Sequence, residues 1–153
     1  MAKTPYKDRD DIRKINAQWR KLTGLHSREE WSEAVVRAAT AAEIAANFAI
    51  REEFKKRGDF SVECVNDLLM LANGLQGKID RLLSPLVKGS PAEAEVRALK
   101  QAMQTINRDR NAIVHQGEFR NADEARATIE VARTFIEGLV RIYRRKFRLK
   151  EKS

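Results

Sequence analysis

The sequence has few of the residues that interrupt helices. Seven glycines and three prolines are spread over 153 residues, while the strong helix formers Ala, Leu, Glu, Lys and Arg are abundant. Long runs in which β-branched residues alternate with polar ones are absent, so the sequence gives strands little support. The length suits one domain with a real core and is too short for two. We expect a single all-α domain.

Cysteine, histidine clusters and long apolar runs are also scarce. Cys64, the single cysteine, cannot close an internal disulfide and is expected to be a buried small hydrophobe. No Cys/His cluster has the spacing of zinc ligands. No apolar run approaches the roughly 18 residues of a membrane span, and the polar N-terminus lacks the apolar core of a secretory signal. These absences predict a cytoplasmic protein with no metal, no cofactor and no membrane association.

Acidic residues are fewer than basic ones, 22 against 30, which gives a formal net charge of +8. Such a surplus favours a polyanionic partner, most commonly nucleic acid, although anionic membrane surfaces respond to it as well. The positive charge is densest near the C-terminus, where five residues are candidates for RNA binding: Arg141, Arg144, Arg145, Lys146 and Arg148. The alternative is a solvated helix end whose cations suit the helix dipole.

Capping and stop signals divide the chain into about five helices, which predicts an antiparallel bundle. A polar tail is expected at 1–9, one helical domain at 10–147, and a basic tail at 148–153. The first helix is predicted to end before Gly24, and His26 is placed in a loop. Ser27 and Ser90 are predicted to cap the second and fourth helices, and Asn121 the fifth. The third begins near Ser61, kinks near 74–77, and is followed by a loop from Ser84-Pro85 to Gly89.

An arginine interrupts the apolar stripe of the fourth helix. Its core-facing positions follow alternating spacings of three and four residues: Val96, Leu99, Met103, Ile106, Arg110 and Ile113. A core-facing guanidinium must meet an anion, an interface or water, because an unpaired buried charge is costly. Five residues later comes His115. Taken alone, Arg110 fits a structural ion pair, and His115 fits a helix C-cap.

The spacing of Arg110 and His115 determines whether the two side chains lie on one face of the helix. Five residues correspond to about 140° of helix rotation, so Arg110 and His115 do not share a face, whereas Asn111 and His115 do. Two copies of the helix packed about a twofold axis would bring both arginines and both histidines into one groove.

The segment from Arg110 to His115 resembles the signature of the HEPN superfamily, an Arg and a His separated by four to six residues with a polar residue often after the Arg. Its place at the end of the penultimate long helix, before a glycine and one more helix, is similar too. The resemblance implies a homodimer that cleaves RNA without metal, often as a toxin or antiviral effector. It implies that His115 acts as acid and base, that Arg110 holds the scissile phosphate, and that Asn111 orients them. The products would be a 2′,3′-cyclic phosphate and a 5′-hydroxyl.

The family often contributes an acidic or polar residue from an earlier helix, and Glu43 is the candidate here. It lies with Thr40 and Asn47 on a polar line of the otherwise apolar second helix, which is expected to be central and buried. Arg110 and some other arginine are equally plausible partners for its carboxylate. Some toxins of the family carry a tyrosine, modified by a partner enzyme, where this chain has Gly117. Membership of that branch is therefore doubtful.

Three functions remain open at this point. The first is a metal-independent endoribonuclease of toxin or defence type, with RNA, a second copy and a cognate antitoxin or defence protein as partners. The second is a non-catalytic HEPN-like bundle that binds RNA or a protein, with Arg110 and His115 holding the dimer together. The third is a structural helical adaptor with no role in nucleic-acid chemistry.

Overall fold

In a computed structural model the chain is described at residues 10–27 and 29–150, and within these ranges all regular structure is helical. The predicted tail at 1–9 lies outside the described residues, as do Arg28 and 151–153. The helices follow in this order: α1 Asp11–Ser27, α2 Trp31–Arg57, α3 Val62–Leu71, α4 Leu75–Gly77, a π-helical segment Lys78–Leu83, α5 Ser84–Val87, α6 Ala92–Ala98, α7 Lys100–Gln116 and α8 Ala122–Arg141. The predicted all-α class is confirmed, and the helices form a bundle.

Helix α2 is the centre of this bundle, as its nearly uniform apolar surface predicts. It packs against α1, α7, α8 and the π-helical segment. Many of its contact positions are alanines with no exposed surface, among them Ala38, Ala42 and Ala45. Small side chains let the neighbouring helices approach closely, while larger residues on those helices, such as Trp19 and Phe135, fill the space between them.

Several helix ends follow the predicted local chemistry. Ser61 caps α3, its Oγ accepting a hydrogen bond from the Cys64 amide at 3.1 Å. Asn121 and Glu124 form a complete capping box at α8. Gly117 ends α7 with a φ of 69°, a left-handed conformation that a residue without a Cβ adopts at little cost.

The junction between α1 and α2 differs from the prediction. Helix α1 continues through Gly24 to Ser27, which places His26 in its last turn rather than in a loop. The extra turn buries Leu25 in the core. The amide of Glu30 donates to the Leu25 carbonyl at 2.9 Å and closes this end. The capping box at Ser27 was therefore a wrong prediction, since α2 begins four residues later without a side-chain cap.

The middle of the chain is more finely divided than predicted. The loop expected at Ser84-Pro85 is helical, because α5 continues directly from the π-helical segment and carries Pro85 near its start. The expected fourth helix is two helices, α6 and α7, separated at Leu99. Ser90 does not cap α6 with its side chain; its hydroxyl donates to the Val87 carbonyl at 2.7 Å instead. Cys64 is exposed, not buried, because it lies on the outer face of α3.

The segment after α8 folds back onto the bundle. Leu149 is buried in the core, and its amide donates to the Glu137 carboxylate at 3.1 Å. The Lys150 amide donates to Asn16 Oδ1 on α1, also at 3.1 Å. Residues 148–150, predicted as part of a basic tail, therefore pack between α1 and α8, and the packed domain reaches Lys150.

Tyr143 lies in this returning segment and holds a buried carboxylate. Its hydroxyl donates to Glu53 Oε2 at 2.6 Å, and its ring packs edge-on against Phe48. Burial, reinforced by the Glu53 carboxylate, raises the pKa of the Tyr143 hydroxyl well above its ordinary value. The hydroxyl thus remains a donor. These contacts give Tyr143 a structural use.

Replacing Tyr143 with phenylalanine is expected to lower the free energy of unfolding by about 1–3 kcal/mol, because Glu53 would stay buried without its shortest hydrogen bond. Urea denaturation followed by circular dichroism measures the change. Lys56→Met is the matched control, since it removes a largely exposed ammonium group that lies 3.5 Å from the same carboxylate and 5.0 Å from the centre of the Tyr143 ring. A control more destabilised than Tyr143→Phe would contradict the assignment.

Candidate functional site

A small polar cleft lies where α2, the start of α4 and α7 meet. Its volume is about 120 Å³. The apolar part of its wall includes Leu75 and Ile106, and the polar part consists of Glu43, Asn73, Asn107 and Arg110. The sequence-predicted residues Glu43 and Arg110, 67 positions apart along the chain by their numbers, thus share one cleft.

Arg110 lies where the apolar stripe of α7 leaves the core. Ile106, one turn earlier, is fully buried, whereas Arg110 is half-buried and lines the cleft. Its Nη1 donates to Asn111 Oδ1 at 3.3 Å. Across residues 10–27 and 29–150 no carboxylate pairs with this guanidinium. The structural ion pair considered for Arg110 is therefore not seen in the described part of the chain.

Glu43 has a cationic partner, but it is neither Arg110 nor any other arginine. Lys78 Nζ lies 2.8 Å from Glu43 Oε1, so the prediction of an arginine partner was wrong. Lys78 is the first residue of the π-helical segment, and its side chain is 8% exposed. A signal for it exists in the sequence, because Lys78 falls three residues after Leu75 and four before Leu82, on the apolar stripe.

His115 lies in the last turn of α7 and is exposed. It is not among the residues that line the Arg110 cleft. A regular helix separates the two residues by about 140° of rotation and roughly 7.5 Å of rise. At the end of α7 the amides of Gly117 and Glu118 both donate to the Ala112 carbonyl. No described contact uses the His115 imidazole as a cap.

A second group of polar residues fixes the end of α7 against its neighbours. The Thr128 hydroxyl on α8 donates to Asp109 Oδ2 at 2.6 Å, and Arg120 Nη2 lies 3.8 Å from Asp109 Oδ1. The Arg120 amide donates to Ser32 Oγ on α2 at 2.8 Å. These contacts join α7, α8 and α2 directly beside Arg110. Sequence reasoning missed them, because each partner is distant along the chain.

The predicted RNA-binding residues divide into two groups. Arg141 donates to the Phe147 carbonyl at 2.9 Å, and the Arg144 guanidinium lies 5.5 Å from the centre of the Phe48 ring, so both have structural contacts. All five residues are exposed, but Arg145, Lys146 and Arg148 make no such contact within the described residues. These three residues follow the C-terminal end of α8. That end lies about 20 Å along the helix axis from Thr128, which contacts Asp109 next to Arg110.

Exposed apolar side chains stand near the ends of the cleft. Val114, one turn after Arg110, is 46% exposed, and Phe119 in the following loop is 89% exposed. Met70 and Leu71, at the end of α3 and close to the cleft residue Asn73, are 78% and 80% exposed. Exposed apolar side chains that form one contiguous patch are typical of surfaces that bind another protein.

The chain matches none of the family models, curated proteins or solved structures with which it was compared. Within the part of the chain that the structure describes, no helix is both long and apolar enough to cross a membrane. The same residues contain no group of three or more His, Cys, Asp or Glu side chains placed to hold a metal ion. Functional inference therefore rests on the motif and on the geometry of the cleft.

Proposed function

We propose that this protein is a metal-independent endoribonuclease of the HEPN type. The observation that carries the proposal is the state of Arg110, a half-buried guanidinium that lines a cleft and pairs with no carboxylate in the described residues. A cation in this position is suited to an external anion. The forked guanidinium matches the oxygens of a phosphodiester and can stabilise the charge that develops on them during cleavage.

His115 supplies the proton transfers in this reaction. As base it takes the proton of a ribose 2′-OH, whose oxygen then attacks the adjacent phosphorus; as acid it returns a proton to the departing 5′ oxygen. The products are a 2′,3′-cyclic phosphate and a 5′-hydroxyl. Asn111 holds the Arg110 guanidinium through its side-chain oxygen and shares a helix face with His115. It therefore orients both groups.

The site is completed by a second copy of the chain. Within one chain Arg110 opens into the cleft while His115 faces solvent on another side of α7. The exposed Val114 and Phe119 lie next to His115 and offer an apolar surface for α7 of the second copy. A twofold axis there would place Arg110 of one protomer beside His115 of its partner, giving two equivalent sites.

Incubation of the purified protein with mixed RNA in EDTA tests the proposal. Cleavage is expected to proceed in the chelator and to leave 2′,3′-cyclic phosphate ends, which are identified by their resistance to phosphatase until acid opens the ring. An intact RNA pool at all protein concentrations would contradict a ribonuclease function. The cellular role as a toxin or defence protein, with a cognate antitoxin or defence partner, follows the family resemblance and is a separate question.

A second candidate is a bundle that binds RNA without cutting it. The exposed Arg145, Lys146 and Arg148 favour it, because they lie far from the cleft and can hold phosphates independently of it. Retention of intact RNA that weakens steeply with salt, and is lost when these three residues are neutralised, would support this function over cleavage.

A further inference from the structure

Lys78 is a charged side chain beside the cleft to which the proposed reaction gives no role. Its side chain is 8% exposed, and its Nζ lies 2.8 Å from Glu43 Oε1. Burying an ammonium group is costly, and well-packed apolar residues of similar volume often serve stability as well as such a pair. The presence of the pair therefore calls for an explanation beyond stability.

Lys78 is the first residue of the π-helical segment and is buried like Leu75, three residues before it on α4. A π turn holds one residue more than an α turn, which rotates the following residues by about 100° relative to a continuous α-helix. Lys78, Ile79 and Leu83 are buried in this segment, while Asp80 and Arg81 face solvent. Single π turns within helices are frequent at functional sites.

Glu43 stands between two cations. Its side chain is 30% exposed and lines the cleft together with Arg110, and among the described residues these two are the charged members of that lining. A carboxylate and a guanidinium that line one cleft attract each other. Nevertheless Glu43 binds Lys78, and Arg110 is left with Asn111.

We propose that Lys78 is a positioning residue that holds the Glu43 carboxylate away from Arg110 and so keeps the guanidinium available for the scissile phosphate. Without the ammonium group, Glu43 turns to Arg110 and occupies the place of the phosphate. This inference rests on the proposed ribonuclease function for its effect on cleavage. The exchange of partners itself does not depend on that function.

Lys78→Met is expected to lower kcat/KM for RNA cleavage by about 10- to 100-fold per folded molecule, because an internal carboxylate then competes with the phosphate for Arg110. Adding Glu43→Gln to this variant is expected to restore most of the activity, since the competing charge is gone. Lys100→Met is the matched control: it removes a cation from the exposed pair with Asp80 of the same π-helical segment, at 3.7 Å. The control is expected to cleave like the wild type.

A purely structural role predicts a different pattern. If Lys78 were purely structural, the Lys78→Met variant would have a lower folded fraction but unchanged cleavage per folded molecule. This outcome would overturn the inference. Failure of the Glu43→Gln substitution to rescue would overturn it equally. If Lys78→Met does not fold, the double variant, which buries no unpaired charge, is compared with Glu43→Gln alone, and equal activities are expected.

An NMR measurement separates this inference from the proposed function. The Nε–H signal of Arg110 is expected to shift and to exchange more slowly with water in Lys78→Met, as a new ion pair forms, and to return to its wild-type position in the double variant. If wild-type protein cleaves no RNA, the ribonuclease proposal fails, yet this signal still reports the exchange of partners. An Arg110 signal unchanged by Lys78→Met would refute the inference whether or not the protein cleaves RNA.

Discussion

Replacing Arg110 with alanine is expected to lower RNA cleavage by about 10²- to 10³-fold, the loss typical when a group that stabilises transition-state charge is removed. The fold should survive, because Arg110 is half-buried and its only described hydrogen bond is to the neighbouring Asn111. Replacing His115 with alanine should cost a similar factor, about 10²- to 10⁴-fold, by removing the acid and base. Rates of cleavage of a labelled RNA in EDTA measure both.

Arg108→Ala is the control for these variants. Arg108 carries the same charge on the same helix, two residues before Arg110, but it is largely exposed and does not line the cleft. Its removal is expected to change cleavage by less than about threefold, as for a rim charge. Equal losses from Arg108→Ala and Arg110→Ala would mean that net charge, rather than the cleft, accounts for the activity.

Introducing aspartate at both Val114 and Phe119 is expected to separate the dimer and to abolish cleavage. These side chains are exposed in the single chain, so the substitutions should not harm its core. The proposed interface would bury four carboxylates close together, two from each copy, and their mutual repulsion opposes association. Sedimentation velocity measures the mass, and the cleavage assay is run on the same samples.

Val62→Asp provides the comparison for the interface variant. Val62 is 72% exposed and lies at the opposite end of α3 from Met70 and Leu71. The Val62→Asp substitution should leave both the sedimenting mass of the dimer and the cleavage rate unchanged. An interface variant that sediments as a monomer yet cleaves RNA at the wild-type rate would show that one chain carries a complete site.

The sequence predicts the fold best where one local signal decides the outcome. The cap at Asn121 depends on a few neighbouring residues and occurs as predicted. The predictions at Ser27 and Ser90 failed because tertiary contacts compete with local chemistry. The burial of Leu25 extends α1 past Gly24, and the Ser90 hydroxyl turns to the Val87 carbonyl.

The candidate site is also predictable in part, where a local sequence pattern determines the position of a residue. Arg110 is visible in the sequence, because it breaks a helical stripe whose period is fixed by the backbone. Its proximity to Glu43 follows from two helices with apolar faces packing together. The partner of Glu43 follows only in part: the apolar stripe predicts that Lys78 faces inward, but its contact with Glu43 depends on how the π-helical segment packs against α2. The Asp109–Thr128 contact likewise depends on how α7 and α8 are aligned.

A mixed dimer tests the central claim most directly. Arg110→Ala and His115→Ala proteins, each inactive alone, are unfolded together in equal amounts and refolded so that subunits exchange. If each site takes Arg110 from one protomer and His115 from its partner, half of the dimers are mixed and each holds one intact site. Cleavage should then return to about a quarter of the wild-type rate, as random pairing of twofold dimers requires. A mixture as inactive as either variant, while sedimentation and a subunit tag show mixed dimers, would contradict a site shared between the two copies.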